Sequence, residues 1–124
     1  MPAKKILVVD DEPEVRQLME HFLTDRGYEV RIVENGRLAL ESLDTFTPDV
    51  VLLDMHMPEM DGLETLKHLG ARAPSLPVIM ITVNEDIETT SRLLQLGAAD
   101  YVPKPFNLEY LEQSINIQLS ATRD

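Results

Sequence analysis

The chain of 124 residues contains no cysteine and no tryptophan. Without cysteine it has neither a disulfide framework nor a thiolate metal site, which is compatible with an intracellular location. Long apolar stretches are missing as well. The longest apolar runs have about five residues, whereas a helix that spans a bilayer needs about 20. The N-terminal letters MPAKK lead directly into a strand pattern rather than into a signal sequence. We therefore expect a soluble, cytoplasmic protein without a membrane segment.

Basic residues are half as frequent as acidic ones: Lys and Arg total 11, Asp and Glu total 22, and the formal net charge is −11. Nucleic acids and acidic membranes bind proteins through clustered Lys and Arg, so neither is an expected partner. Solubility alone explains most of the excess carboxylates. The length suits one domain with a single core, over residues 1–124.

Short apolar runs alternate with amphipathic stretches along the whole chain. The runs cover residues 5–9, 29–33, 50–54, 78–83 and 101–102. Apolar residues at helical spacing follow each run; in the fourth helix they are Ile87, Leu93, Leu94 and Leu96. Strands and helices in strict alternation require parallel pairing with right-handed crossovers, so we predict a doubly wound α/β fold.

Charged or hydroxyl side chains stand at the C-terminal ends of four predicted strands. Asp10 and Asp11 follow the first strand, Asp54 ends the third, Thr82 lies at the end of the fourth and Lys104 just past the fifth. In an open parallel sheet the functional crevice lies beyond these ends, so the residues are expected to converge. Three carboxylates in one pocket repel one another unless a cation lies among them. Oxygen ligands on a wet rim favour Mg²⁺, with Mn²⁺ as an alternative.

A carboxylate whose charge is screened by a metal ion can act as a nucleophile towards a phosphoryl group, and Asp54 is our candidate for that role. Lys104 would neutralise a phosphoryl oxygen, and the hydroxyl of Thr82 would donate a hydrogen bond to another and so sense the group. Each residue alone has an ordinary explanation: Asp11 as a helix cap, Asp54 as a turn former, Thr82 as a strand former, Lys104 as a solvated cation. Their joint placement at four strand ends favours a site.

Four segments resemble, in order and spacing, the receiver domain of two-component response regulators, the family that includes the chemotaxis response regulator. They are LVVDDEP at 7–13, VVLLDMHMPEMDGLE at 50–64, VIMIT at 78–82 and LGAADYVPKPF at 96–106. The resemblance covers essentially the whole chain and implies a flavodoxin-like (βα)5 fold with strand order 2-1-3-4-5.

The resemblance also implies a role for each strand-end residue. Asp54 becomes the phosphoacceptor for a histidine kinase or a phosphotransfer protein, and Asp10 and Asp11 form the acidic pair of a Mg²⁺ site. Asp54 itself and the backbone carbonyl of His56 complete the protein ligands of the metal. Lys104 becomes the phosphate-binding lysine.

The same resemblance assigns a switch and a set of rate-tuning positions. Thr82 and Tyr101 match the coupled hydroxyl and aromatic switch residues, and the peptide bond between Lys104 and Pro105 is expected to be cis. His56 and Asn84 match positions that tune the lifetime of the acyl phosphate. Val83 stands where the family usually has Ala or Gly, and we expect its branches to crowd the phosphoryl entrance and slow phosphotransfer.

Phosphorylation is expected to act through a population shift rather than through enzymatic turnover. Thr82 would move towards the phosphoryl group, Tyr101 would turn into the vacated space, and the surface of the fourth helix, fifth strand and fifth helix would change for an output partner or effector domain. The last helix has Glu109 and Glu112 but no basic residue before Arg123, so we expect a monomer or a weak dimer. Tyr110 and Ile117 on the same helix remain available for an apolar contact.

Three other functions remain open at this stage. A flavodoxin-like FMN carrier shares the topology, but the loop of Asp10, Asp11 and Glu12 would repel the flavin phosphate. A metal-dependent phosphohydrolase also uses an Asp nucleophile, but no second Asp stands two residues after Asp54. A degenerate receiver that acts as a phosphorylation-independent interaction module is the alternative within the family, and the intact acidic pair and Lys104 argue against it.

Overall fold

The structure, a computed structural model, describes residues 3–83, 86–105 and 107–121. Its strands are β1 (Lys5–Val9), β2 (Glu29–Val33), β3 (Val50–Asp54), β4 (Val78–Thr82) and β5 (Asp100–Pro103). Its helices are α1 (Pro13–Asp25), α2 (Gly36–Ser42), α3 (Gly62–Arg72), α4 (Ile87–Gln95) and α5 (Leu108–Ala121). The strands form one parallel sheet in the order β2-β1-β3-β4-β5. The predicted fold class and strand order are confirmed.

The apolar core lies on both faces of the sheet. Alternate residues of each strand belong to two different clusters, as Leu53 and Leu52 of β3 do. The cluster that contains Leu53 packs against α2, α3 and α4, and the cluster that contains Leu52 packs against α1 and α5. Because both faces are covered, β3 and β4 are buried along their whole length, and their sequences show no polar alternation.

The strand register aligns the C-terminal ends of the strands at one edge of the sheet. Val9 of β1 pairs with Leu53 of β3, and Asp54 pairs with Ile81 of β4. One residue further along, Thr82 pairs with Pro103 of β5. The residues that end or follow these strands therefore share one rim.

Asn or Asp side chains begin three of the helices. The side chains of Asn35, Asp61 and Asp86 accept hydrogen bonds from backbone N–H groups at the starts of α2, α3 and α4. The first helix differs, because its N-cap residue is Glu12, whose side chain makes no cap hydrogen bond. The ordinary explanation of Asp11 as the helix cap is therefore not the arrangement observed.

The apolar residues of α4 are only partly buried. Leu93 is fully buried, but Ile87 is 82% exposed and Leu94 is about half exposed. The helix meets the core along a narrow line that includes Thr90 and Leu93, so apolar residues beside that line face solvent. No helix in the described part of the chain is long and apolar enough to cross a membrane.

Candidate functional site

The side chain of Lys104 lies at the centre of a group of carboxylates at the rim of the sheet. Its Nζ is 3.3 Å from Oδ2 of Asp10, 3.2 Å from Oδ1 of Asp54 and 3.0 Å from Oε1 of Glu12. The Lys104 side chain is only 14% exposed, and both aspartates are buried. The structure thus brings together three of the residues that the sequence predicted, and it adds Glu12.

Backbone hydrogen bonds fix Asp10 at the end of β1. Its N–H donates to the carbonyl of Val33, and its Oδ1 accepts from the N–H of Glu12 at 2.9 Å. The Arg16 guanidinium donates to the carbonyl oxygen of Asp10 at 2.7 Å. These three hydrogen bonds hold Asp10 in place.

Asp54 lies under a loop that packs closely on the end of β3. The N–H of Met55 donates to the carbonyl of Ile81 at 2.8 Å, and the N–H of Gly62 donates to the carbonyl of Met55 at 2.8 Å. A Cβ atom on Gly62 would lie 2.4 Å from the carbonyl oxygen of Asp54, so only glycine fits there. The N–H of His56 approaches Oδ1 of Asp54 at 3.5 Å, a long contact.

Thr82 and Tyr101 flank the site from β4 and β5. Thr82 is fully buried, and its carbonyl accepts a hydrogen bond from the N–H of Lys104 at 2.8 Å. Tyr101 is half-buried and packs against the apolar cluster on the α2, α3 and α4 side. The peptide bond between Lys104 and Pro105 is cis, as the resemblance implied.

The buried carboxylates lose part of their tendency to ionise. Burial, followed by repulsion from Asp10, raises the pKa of Asp54 to about 6, although Lys104 and the N–H of His56 act in the opposite direction. Burial also raises the pKa of Asp10. At Lys104, burial opposes the charge, but Glu12, Asp10 and Asp54 outweigh it and raise the pKa of the ammonium group.

The sequence profile of the response regulator receiver domain matches residues 6–116. The chain belongs to this family. It is 43% identical over 107 residues to the regulatory protein AtoC of Escherichia coli strain K12, and 43% identical over 102 residues to the DNA-binding transcriptional regulator NtrC of Klebsiella pneumoniae. These matches cover 86% and 82% of the chain but 23% and 22% of the two relatives, so the chain spans about a quarter of their length.

Solved structures agree with this receiver-domain assignment. The chemotaxis protein CheY4 of Vibrio cholerae matches with a TM-score of 0.90 and 34% identity, over 94% of this chain and 99% of that one. The receiver-domain resemblance stated from the sequence motifs is therefore confirmed.

The acidic residues of the receiver domain suit a hard divalent cation. Carboxylate oxygens of Asp10, Asp11 and Glu12 lie within 4.8 Å of one another, with Asp10 buried and the other two exposed. Carboxylates at a partly solvated edge are the donor set that Mg²⁺ accepts. Asp54 is linked to this group through Lys104, and the assignment of Asp54 and of the His56 carbonyl as ligands stays a prediction.

Two of the three positions predicted to tune the reaction rate are exposed. Val83 is 62% exposed, His56 is exposed, and Asn84 falls outside the described residues. The expected slowing of phosphotransfer by Val83 stays a prediction. Sequence reasoning had not included Glu12 in the site, although its position directly after the Asp10–Asp11 pair was a usable signal.

Proposed function

We propose that this receiver domain is a phosphorylation switch in which Asp54 accepts a phosphoryl group in a Mg²⁺-dependent reaction. The observation that carries the proposal is the buried Asp54 carboxylate, paired with Lys104 at the rim where four strands end. The donor would be a sensor histidine kinase or a phosphotransfer protein. The relatives AtoC and NtrC, a regulatory protein and a transcriptional regulator by name, support a signalling role.

The transfer step moves one phosphoryl group from donor to acceptor. An oxygen of the Asp54 carboxylate attacks phosphorus, the bond from phosphorus to the donor nitrogen or oxygen breaks, and the donor leaves with that electron pair. The Nζ of Lys104, which lies 3.2 Å from Oδ1 of Asp54, would then pair with a negatively charged phosphoryl oxygen. Asp54 acts as a nucleophile, so the carboxylate must be ionised, which its pairing with Lys104 favours.

Asp10 and Asp11, with Asp54 and the backbone carbonyl of His56, would hold the ion. Bound Mg²⁺, or Mn²⁺, would offset the negative charge of the carboxylates and of the incoming phosphoryl oxygens. Asp10 is fixed by its backbone hydrogen bonds, so it would need little reorganisation to bind. Asp11 is exposed and free to turn towards the ion.

The response would pass from the site to the surface of α4, β5 and α5. The hydroxyl of Thr82 would bind a phosphoryl oxygen, and the half-buried Tyr101 would repack, shifting the balance between two conformations. Exposed Ile87 on α4 and exposed Ile117 on α5 supply apolar contacts for an output partner or effector domain. We further propose that residues 1–124 act as one cytoplasmic receiver unit, a monomer or weak dimer that is not a turnover enzyme.

The test is phosphorylation by acetyl phosphate in the presence of Mg²⁺, followed by intact mass and by peptide mapping. The wild-type chain is expected to gain one phosphoryl group on Asp54, and the Asp54→Asn variant none. An Asp44→Asn variant, in which an exposed aspartate is changed, serves as the control and should be modified like the wild type. An unmodified wild type, or equal modification of Asp54→Asn, would refute the proposal.

A further inference from the structure

Glu12 is the closest of the three carboxylates to Lys104 and the least fixed. Its Oε1 lies 3.0 Å from Nζ of Lys104, although its side chain is 58% exposed. The side chain does not cap α1 and makes no other hydrogen bond or ion pair in the described part of the chain. Asp10 and Asp54, in contrast, are buried and also accept backbone hydrogen bonds.

The ammonium group of Lys104 is therefore shared between two fixed, buried carboxylates and one exchangeable, exposed carboxylate. A phosphoryl group on Asp54 would add negative charge beside the same ammonium group. Glu12 would then compete with the phosphoryl oxygens for Lys104 and would repel them. Of the three contacts, the one to Glu12 is the only one that can be given up by rotating an exposed side chain.

We propose that Glu12 is a positioning residue that holds Lys104 in the unphosphorylated domain and thereby lowers the affinity of the Asp54 pocket for a phosphoryl group. This inference rests on the proposed function of Asp54. In this role Glu12 acts through Lys104 and weakens the binding of a phosphoryl group at Asp54.

A second role for Glu12 predicts the opposite result. Its carboxylate belongs to the group with Asp10 and Asp11 whose oxygens lie within 4.8 Å of one another. If Glu12 mainly helped to bind Mg²⁺, removing its charge would weaken Mg²⁺ binding. Binding of any phosphoryl mimic that needs the metal would then weaken as well. The two roles therefore predict opposite changes in the affinity for a phosphoryl mimic when the charge of Glu12 is removed.

The experiment compares Glu12→Gln with Glu14→Gln by titrating each protein with beryllofluoride in the presence of Mg²⁺. Both variants remove one negative charge at the start of α1, but Glu14, unlike Glu12, forms no hydrogen bond or ion pair with Lys104 in the described part of the chain. Binding is followed by the NMR amide resonances of Asp54 and Thr82, Mg²⁺ affinity is measured separately by calorimetry, and thermal unfolding confirms the fold. Glu12→Ser, which removes the same charge and places a favoured cap residue before α1, is a second variant.

The proposal predicts that Glu12→Gln and Glu12→Ser bind beryllofluoride about two- to fivefold more tightly than the wild type, the range of a single exposed ion pair. Glu14→Gln should match the wild type, and the Mg²⁺ affinity of all proteins should agree within about twofold. Equal effects of Glu12→Gln and Glu14→Gln, or weaker binding accompanied by a loss of Mg²⁺ affinity, would overturn it. If the wild type itself failed to bind beryllofluoride, the proposed function of Asp54 would fall instead.

Discussion

The Nζ of Lys104 lies 3.2 Å from Oδ1 of Asp54, although the two residues are 50 positions apart in the chain. Asp54 ends β3 and Lys104 follows β5, so the lysine reaches past the end of β4 to make this pair. The hydrogen bond from the N–H of Lys104 to the carbonyl of Thr82 anchors it there. The pair therefore depends on the strand order and on the alignment of three strand ends.

The free domain should become more stable when the charge of Asp54 is removed. Burial and the neighbouring Asp10 raise the pKa of Asp54 to about 6 from 3.8, so the ionised carboxylate costs folding free energy at neutral pH. We expect Asp54→Asn to raise the free energy of unfolding by about 1–3 kcal/mol at pH 7. Urea denaturation in buffer with EDTA measures this, and Glu20→Gln, at an exposed position on α1, is the control.

The raised pKa of Asp54 also predicts how the stability of the domain depends on pH. Between about pH 4 and pH 6 the folded domain binds more protons at Asp54 than the unfolded chain does, so the contribution of Asp54 to wild-type stability should fall as the pH rises through this window and change little above it. The advantage of Asp54→Asn over the wild type should accordingly be small at pH 4 and reach its full size by pH 7. A constant difference across this range would contradict the raised pKa.

Mg²⁺ should stabilise the wild-type domain, because an ion that binds the folded state shifts the unfolding equilibrium. Asp11→Asn should lower the Mg²⁺ affinity by at least about tenfold, since it removes one of the few charged oxygen ligands. Thermal unfolding with increasing Mg²⁺ measures both effects, with Glu20→Gln as a control of the same charge change. Equal Mg²⁺ responses of Asp11→Asn and the wild type would exclude Asp11 as a ligand.

Local sequence patterns predicted the sheet and most of the site. Buried parallel strands have continuous apolar sequences, and the C-terminal ends of parallel strands lie at one edge of the sheet. Asp10, Asp54 and Lys104 were found in this way and do meet. The position of Glu12 directly after Asp10 and Asp11 was a signal, but its contact with Lys104 depends on the direction that an exposed side chain takes, which spacing in the sequence does not encode. The exposure of Ile87 did not follow from the sequence, because helical spacing identifies an apolar face but tertiary packing decides how much of that face is covered.

The close approach of Gly62 to the end of β3 should make this position intolerant of any side chain. A Cβ there would lie 2.4 Å from the Asp54 carbonyl oxygen and 2.6 Å from the Cα of Met55, both backbone atoms that cannot rotate away. We expect Gly62→Ala to lower the free energy of unfolding by about 2–4 kcal/mol and to reduce phosphorylation of Asp54.

Gly70 provides the matched control within the same helix. No atom lies within 4 Å of a Cβ built on it, so Gly70→Ala should stabilise the domain by about 0.5–1 kcal/mol through helix propensity. Urea denaturation followed by circular dichroism compares the two variants. Similar effects at Gly62 and Gly70 would show that the β3 end yields to a methyl group and that the contact does not position Asp54.

A partly buried hydrogen bond joins α5 to β5 on the surface that we propose to respond to phosphorylation. The hydroxyl of Ser114 donates to Oδ2 of Asp100 at 2.6 Å, and Oδ1 of Asp100 accepts from the N–H of Tyr101 at 2.8 Å. Ser114→Ala leaves one carboxylate oxygen without this donor, so it should cost about 1–2 kcal/mol of stability. The exposed Ser120 lies near the end of the same helix, and Ser120→Ala should change stability by less than about 0.5 kcal/mol. If urea denaturation gave equal values for both serines, the bond to Asp100 would not hold α5 against β5.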